Sequence, residues 1–299
     1  MNDVAELIIE VGINHQGSVD IAKEMIDEMV RAADNTDFPK DKLFFKFQKR
    51  NPEVSVPMHM WDKPRKDLLT GEDVLYIEYK RRMEFSENQF YELIWHSRNT
   101  GGVFVSVWDV DSVNFVKKHM GKSPYIKIPS PHLTNDTLIE AAIATKIPLI
   151  MSTGMSTEEE IAHAIGLVPA DYGGNLVVLS CTSSYPCPDS EVNLNKMFEL
   201  PMIGDHCLHD KYDEPRIGFS SHSIGPFPVL YALAFGAEMV EVHFTLDRAM
   251  PGSDHSASLE IPAIELIMRE AQRIPVLRGD GEFHVYDSEL PKRKSLRGY

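Results

Sequence analysis

Several residue types that do chemistry recur at the ends of short apolar runs. His222 and His243 each stand just past such a run. Neutral imidazoles suit divalent transition metals, so the two together point to a metal site; a lone histidine in that place is more often a hydrogen-bonding residue. Lys46 and Lys127 close two other runs. Each either snorkels to solvent or, with hydroxyls such as Ser130 and Ser152, holds a phosphate or carboxylate. Glu10 and Glu241 lie inside apolar segments. A buried carboxylate is costly unless paired or ligating, so each either does chemistry or pairs with Lys46 or Lys127. Asp254 and His255 follow Gly252-Ser253, where a turn role competes with a site role. His15 sits in the first loop, to touch substrate or cap a helix. His59, His96, His119, His163, His206, His209 and His284 have no such context and read as surface or packing residues.

The elements that must position these groups alternate. Strands are expected at Leu7–Val11, Leu43–Phe47, Val103–Val107, Tyr125–Ile128, Pro148–Met151, Leu176–Leu179, Arg216–Phe219 and Glu238–Val242. Between them, apolar residues recur at helical spacing over Val19–Ala33, Asn88–Arg98, Val110–His119, Asp136–Thr145, Thr157–Ile165 and Pro228–Phe235, and Ile261–Arg273 closes the series. Ser18 is a helix N-cap by type and place. Residues 49–86 read as an irregular charged insertion with one short helix around Leu75–Tyr79, and 286–299 as a basic tail. Eight strands separated by crossovers predict an α/β fold, a single-domain (β/α)8 TIM barrel, which needs roughly 250 residues. The alternative, a doubly wound sheet, wants a glycine-rich phosphate loop. Gly12-Ile13-Asn14-His15-Gln16-Gly17 does not have that spacing.

In such a barrel the chemistry sits at the C-terminal strand ends. That rim would carry Glu10, Lys46 with Gln48, Ser106 with Asp109, Lys127 with Ser130, and Ser152 with Thr153. It would also carry Thr182 to Ser184, Ser220 with His222, and Glu241 with His243.

The 299 residues are 43% hydrophobic, enough for a core without disulfides. Three cysteines, Cys181, Cys187 and Cys207, make no disulfide framework and no structural zinc spacing, so a reducing cytoplasm is expected. No apolar run reaches the ~20 residues of a membrane span, and no secretory signal is visible. A formal charge of −15 argues against a nucleic-acid partner. An anionic substrate would need local positive charge, from lysines or a metal, against that field.

The ordered motifs resemble the sialic acid synthase family, the N-acetylneuraminate synthase barrel. They are Ile9-Glu10-Val11-Gly12-Ile13-Asn14-His15-Gln16-Gly17, Lys46-Phe47-Gln48, Tyr125-Ile126-Lys127-Ile128-Pro129-Ser130 and Met151-Ser152-Thr153-Gly154-Met155. Then follow Cys181-Thr182-Ser183-Ser184-Tyr185-Pro186, Asn193-Leu194, Gly218-Phe219-Ser220-Ser221-His222, Glu241-Val242-His243-Phe244-Thr245-Leu246-Asp247-Arg248 and Gly252-Ser253-Asp254-His255, together spanning about residues 8 to 260. The resemblance implies metal ligands His222 and His243, for Mn2+ first, with Mg2+ or Co2+ as alternatives. It implies phosphoenolpyruvate binding by Lys46, Ser106, Lys127, Ser130, Ser152, Asn193 and Ser220. It implies sugar contacts from Gln48, Tyr185 and Asp254, and catalytic roles for Glu10, Glu241 and Lys127. By analogy a homodimer is expected.

Two departures stand out. The sequence ends at Leu296-Arg297-Gly298-Tyr299 without the small antifreeze-like domain many members carry, so it reads as the barrel-only branch. The usual Ser-Asp-His is Ser220-Ser221-His222. Trp61 and Tyr76 of the insertion are candidates to cover the site instead.

The reaction implied joins phosphoenolpyruvate to an N-acetylated amino-sugar aldehyde, N-acetylmannosamine or a related hexose, giving a sialic-acid-type 2-keto acid and phosphate. Glu10 is assigned to the positive charge developing at C2 and Glu241 to guiding water. One rival is a synthase for a phosphorylated aldose, for which Arg216 and Arg248 are the visible basic candidates. The others are a metal-dependent aldolase or isomerase, and a non-catalytic barrel binding a sugar acid or a partner protein.

Overall fold

The computed structural model describes residues 4–67, 70–169, 172, 176–208 and 215–297, with the side chains of 204–208 excepted. Eight parallel strands close into a barrel. In chain order they are β1 (Glu6–Gly12), β2 (Leu43–Lys49), then, after the hairpin strands β3 (Pro64–Lys66) and β4 (Asp73–Leu75), β5 (Gly102–Val107), β6 (Ile126–Ile128), β7 (Leu149–Ser152), β8 (Leu176–Cys181), β9 (Arg216–Ser221) and β10 (Met239–His243). The ring runs β1-β10-β9-β8-β7-β6-β5-β2, so consecutive barrel strands are neighbours throughout. The helices are α1 (Val19–Thr36), α2 (Pro52–Ser55), α3 (Tyr76–Arg82), α4 (Glu87–His96), α5 (Val110–His119), α6 (Asp136–Ile143), α7 (Glu158–Gly166), α8 (Asp189–Val192), α9 (Lys196–Leu208), α10 (Phe227–Ala234), α11 (Ile261–Arg278) and α12 (Leu290–Arg297). The expected (β/α)8 barrel is therefore the fold. None of its described helices is long and apolar enough to cross a membrane.

Local chemistry sets the helix starts. Ser18 Oγ accepts from the Ile21 amide and begins α1, whose buried face is Ala22, Met25, Ile26, Met29, Ala32 and Ala33. A cap of this kind is worth about 1 kcal/mol. Ser86 with Gln89, and Thr157 with Glu160, form reciprocal capping boxes at α4 and α7. Asp109, read as a rim residue, instead caps α5 through the Ser112 amide at 2.7 Å.

Because a strand's side chains alternate faces, each barrel strand sends every second residue inward. The middle of the lumen is filled by an apolar layer: Ile8, Phe44, Phe104, Tyr125, Ile150, Val177, Leu179 and Met239. Below it, Tyr125 donates to Glu6 Oε2 at 2.6 Å, and Arg216 reaches Glu6 at 3.2 Å. That network plugs the N-terminal end. Two residues further along the strands come Glu10, Lys46, Ser106, Lys127, Ser152, Cys181, Ser220 and Glu241, all buried. The outward residues pack against the helices in one continuous core.

Two expectations change. The insertion is not irregular: β3 and β4 pair antiparallel with Arg65 opposite Val74, and α2 and α3 flank them. Runs of three residues are too short to show alternation. The insertion packs closely against the loop after β1: a Cβ on Gly17 would come within 2.2 Å of the Arg82 carbonyl. The segment read as a basic tail contains α12, which is exposed along its length. Of the remaining histidines, His96, His163 and His284 make surface pairs with Asp27, Asp136 and Asp280. The side chains of His206, Cys207 and His209 lie outside the described residues.

His15 serves structure. It is buried, stacks on Phe85 with ring centroids 4.2 Å apart, and accepts from the Gly17 amide at Nδ1. Burial first, with the nearby Arg50 charge adding, lowers its pKa to about 3 despite a backbone hydrogen bond at Gly12. The unfolded chain therefore binds a proton that the folded chain refuses, and stability falls as pH drops from about 6.5 toward 3. From an ordinary histidine pKa, this one group should cost about 2 kcal/mol between pH ~7.5 and ~5. Urea titrations at both pH values should show His15→Gln less stable at the higher pH but losing less on acidification. An equal loss in both proteins would remove His15 as the cause.

Candidate active site

The polar layer converges because the ladder fixes it. Glu10 pairs across to Lys46 on β2 and to His243 on β10; Ser106 pairs with Lys127; Ser220 pairs with both Glu241 and Cys181. The two lysines and two glutamates meet at the centre. Lys127 Nζ lies 2.8 Å from each oxygen of Glu241. Lys46 Nζ lies 3.2 Å from Glu241 Oε1 and 3.1 Å from Glu10 Oε2. Ser220 Oγ donates to Glu241 at 3.1 Å, and Gln48 Nε2 to Glu10 Oε1 at 3.3 Å. The tetrad is formally neutral.

The two carboxylates are not equivalent. Burial opposes ionisation of both. At Glu241 the Lys127 and Lys46 charges outweigh it, and the pKa falls well below the carboxylate range. Glu10 has one lysine contact, that lysine makes no well-aligned hydrogen bond to Oε2, and the Glu241 charge is close. Burial prevails there and the pKa rises. Lys46, between both carboxylates, stays protonated. Burial lowers the Lys127 pKa, with Glu241 resisting.

Above the tetrad, His222 donates from Nδ1 to the Thr182 carbonyl at 2.7 Å, which leaves Nε2 facing the Tyr185 hydroxyl at 2.6 Å. His243 Nδ1 is buried without a hydrogen-bond partner, 3.9 Å from Asp254 Oδ2. Burial, with His222 next to it, lowers the His243 pKa to about 3, so that ring is neutral. The ring centroids are 5.3 Å apart. An imidazole oriented by a backbone carbonyl and another with an orphaned nitrogen suit a divalent metal. Among the described residues no set of three His, Cys, Asp or Glu side chains is arranged to hold one. His222 and His243 could supply two donors to such an ion, with the remaining positions left to water or substrate.

These groups line one cavity of about 560 Å³ at the C-terminal end of the barrel. It contains Glu10, Lys46, Gln48, Ser106, Lys127, Ser130, Ser152, Tyr185, Ser220, His222, Glu241, His243 and Asp254 together. Ser152 Oγ is buried with no partner. Ser130 Oγ accepts from the Gly154 amide at 3.1 Å, and a Cβ on Gly154 would collide with Ser183 and Ser130. One expected residue stays apart. Asn193 is exposed, ends α8 with φ 46°, and is not in the cavity wall.

Sequence reasoning missed Arg50, Lys80 and Trp108, which also line the cavity. They come from the insertion and from the end of β5, where no motif marks them. Trp61 and Tyr76 do not line it; Trp61 donates to Val56 within the insertion. Arg216 lies at the opposite end of the barrel, and Arg248 bonds the Ser256 carbonyl on the surface.

A closed parallel barrel with a buried lysine–carboxylate cluster at its C-terminal mouth defines a barrel of the enzyme type. The chain belongs to the NeuB family, whose model matches residues 42–283. It is 31% identical to the N,N'-diacetyllegionaminic acid synthase of Legionella pneumophila over 97% of this chain and 78% of that protein. It is also 31% identical to the human N-acetylneuraminate-9-phosphate synthase over 97% of this chain and 76% of that one. A crystal structure of the N-acetylneuraminic acid synthetase from Leptospira borgpetersenii in complex with citrate superposes with a TM-score of 0.77 at 30% identity, covering 100% of this chain and 94% of that one.

Removing one member of a buried ion cluster strands its partner. Lys127→Met should cost about 3–5 kcal/mol in urea titrations. Lys127→Met with Glu241→Gln should recover at least half of that loss, because the orphaned charge is gone. Additive losses would mean that the two side chains do not interact.

Proposed function

We propose that this chain condenses phosphoenolpyruvate with an N-acetylated amino-sugar aldehyde, releasing phosphate and a sialic-acid-type 2-keto acid. The observation that carries this reading is the buried Lys46–Lys127–Glu10–Glu241 tetrad with an unpartnered Ser152 hydroxyl beside it. Two buried ammonium groups and a free hydroxyl fit a small, highly charged anion. The family membership and the relatives' names support the same class of product.

Lys46 and Lys127 exchange carboxylate for substrate oxygens, and Ser106, Ser130, Ser152 and Ser220 complete the anion site. C3 of phosphoenolpyruvate then bonds to the aldehyde carbon, and the carbonyl π pair moves to the aldehyde oxygen. Positive charge develops at C2 and a water adds there; as C2=O forms and the C2–O bond to phosphate breaks, both water protons are released, one ending on the aldehyde oxygen as its hydroxyl and one on the departing phosphate. Much of the rate gain is positioning. The electrostatics favour dividing the glutamates differently from the sequence expectation. Glu241, held ionised by two lysines, faces the developing positive charge. Glu10, with its raised pKa and an Oε2 held only by the Lys46 ion pair, takes the proton from water, as a base poised nearer neutrality should. Gln48, Tyr185 and Asp254 surround the acceptor, while Asn193, exposed at the end of α8, is supported as a phosphoenolpyruvate ligand by the family resemblance alone. His222 and His243 would hold a divalent metal, Mn2+ first and Mg2+ or Co2+ otherwise, which when bound supplies Lewis acidity at the aldehyde oxygen.

Loss of phosphoenolpyruvate should require one N-acetylated aldose and a divalent metal, and should stop with a chelator. Glu10→Gln should cut turnover at least ~100-fold, within the range of general-base catalysis; near-full turnover would sink its assignment. Ser152→Ala gives a sharper test. Its hydroxyl makes no bond in the free protein, so stability should not fall. The KM for phosphoenolpyruvate should rise about tenfold or more, the worth of a hydrogen bond to a charged group. An unchanged KM would move the phosphate site elsewhere.

A further inference from the structure

The outer part of the cavity is walled by cations from the insertion that the family motifs do not include. Arg50 lies flat on Trp108, its Cζ 4.5 Å from the ring. Its Nε pairs with Glu84 at 3.2 Å, and another guanidinium nitrogen contacts Gln48 Oε1. Glu84 is also claimed by Lys49 at 3.0 Å. Lys80, on α3, lines the same cavity with its Nζ over the rings of Tyr76 and Tyr79, at 5.3 and 5.9 Å. Among the described residues no carboxylate pairs with it. Behind it Arg65 stacks on Tyr79 at 4.5 Å, and its Nε is buried without a partner.

Three cations thus share a place where Glu84 and Asp254 are the opposing charges, in a chain of net charge −15. Partial burial first, then Arg50 and Arg65, lower the Lys80 pKa to about 8; Asp254 and Glu84 resist without prevailing. A partly desolvated, unpaired lysine that feels two guanidinium charges is relieved by an arriving anion. Lys46 and Lys127 already supply the inner anion site, and the charges that weigh most on Lys80 are instead Arg50, Arg65, Asp254 and Glu84. Asp254 and Gln48 belong to the acceptor side. A cavity of about 560 Å³ has room for a sugar phosphate beside phosphoenolpyruvate.

We propose that Lys80 and Arg50 bind a phosphate ester on the acceptor sugar, at the end remote from its aldehyde, and so make this chain select a phosphorylated N-acetylhexosamine. The inference rests on the synthase reading above and names its substrate class. Arg50, stacked and held by Glu84, supplies a fixed fork, and Lys80 supplies a mobile point charge.

The test follows loss of phosphoenolpyruvate, with Mn2+, using N-acetylmannosamine 6-phosphate and N-acetylmannosamine. Wild type should show kcat/KM at least ~10-fold higher for the phosphorylated sugar, as expected for charge-assisted hydrogen bonds. Lys80→Met should shrink that ratio about tenfold with the KM for phosphoenolpyruvate unmoved, and Lys80→Arg should restore most of it. Equal use of both sugars, or a KM effect confined to phosphoenolpyruvate, would overturn the proposal while leaving the synthase reading intact. Consumption with neither sugar would count against the synthase reading itself. Calorimetric titration of N-acetylmannosamine 6-phosphate then decides the Lys80 site separately: binding that Lys80→Met weakens supports it, and absent or unaltered binding refutes it.

Discussion

Four ionisable side chains, Lys46, Lys127, Glu10 and Glu241, are buried together inside the barrel, and the rest of the structure is arranged around that fact. Each charge alone would cost several kcal/mol to remove from water. Together they are formally neutral and linked in a chain, Glu10–Lys46–Glu241–Lys127, by contacts of 3.1, 3.2 and 2.8 Å. Only a rigid frame can hold such a set, because a strand slipping by one residue would turn its charge into the helix-packed core. The apolar layer of Ile8, Phe44, Phe104 and Met239 beneath, and the Glu6–Tyr125–Arg216 plug below that, close the lumen and brace the strands.

The cluster is nevertheless incomplete. Ser152 Oγ and His243 Nδ1 are buried without a hydrogen-bond partner, and Glu10 Oε2 has only the Lys46 ion pair. Unsatisfied buried polar atoms are uncommon, and their gathering in one cavity marks a place where stability is given up for something else. In the proposed reaction the same atoms meet phosphoenolpyruvate, water and metal. The free protein therefore carries part of the cost of organising the site before substrate arrives, which is what preorganised electrostatic catalysis requires.

Much of this was legible in the sequence because a barrel strand reports its inward face by type. Ile8-Ile9-Glu10, Phe45-Lys46-Phe47 and Ile126-Lys127-Ile128 each set one charge in an apolar run, and only a polar layer at the strand ends explains all three. The insertion gave no such signal. Its strands are three residues long, and its lysines and arginines look alike on paper. Lys66 pairs with Asp73 at the surface and Lys80 lines the cavity, a difference set by tertiary packing alone. Asn193 shows the converse: a motif position that matches the family yet ends a short helix facing solvent.

Net charge and local charge also separate here. At −15 the chain repels the anions it is proposed to bind, and the Debye length in physiological salt, about 8 Å, limits how far that repulsion reaches. Inside the cavity screening is weaker, and the nearby groups decide. The inner lysines are balanced by Glu10 and Glu241, so a first anion must displace carboxylates that stay close by. The outer cations are in excess of their carboxylates. An anionic sugar would therefore meet net positive charge at the mouth, whereas phosphoenolpyruvate must pass it and exchange partners deeper in. The cavity is graded, with free positive charge outside and exchangeable positive charge inside, and in the proposed reaction that grading would seat two anions in different places.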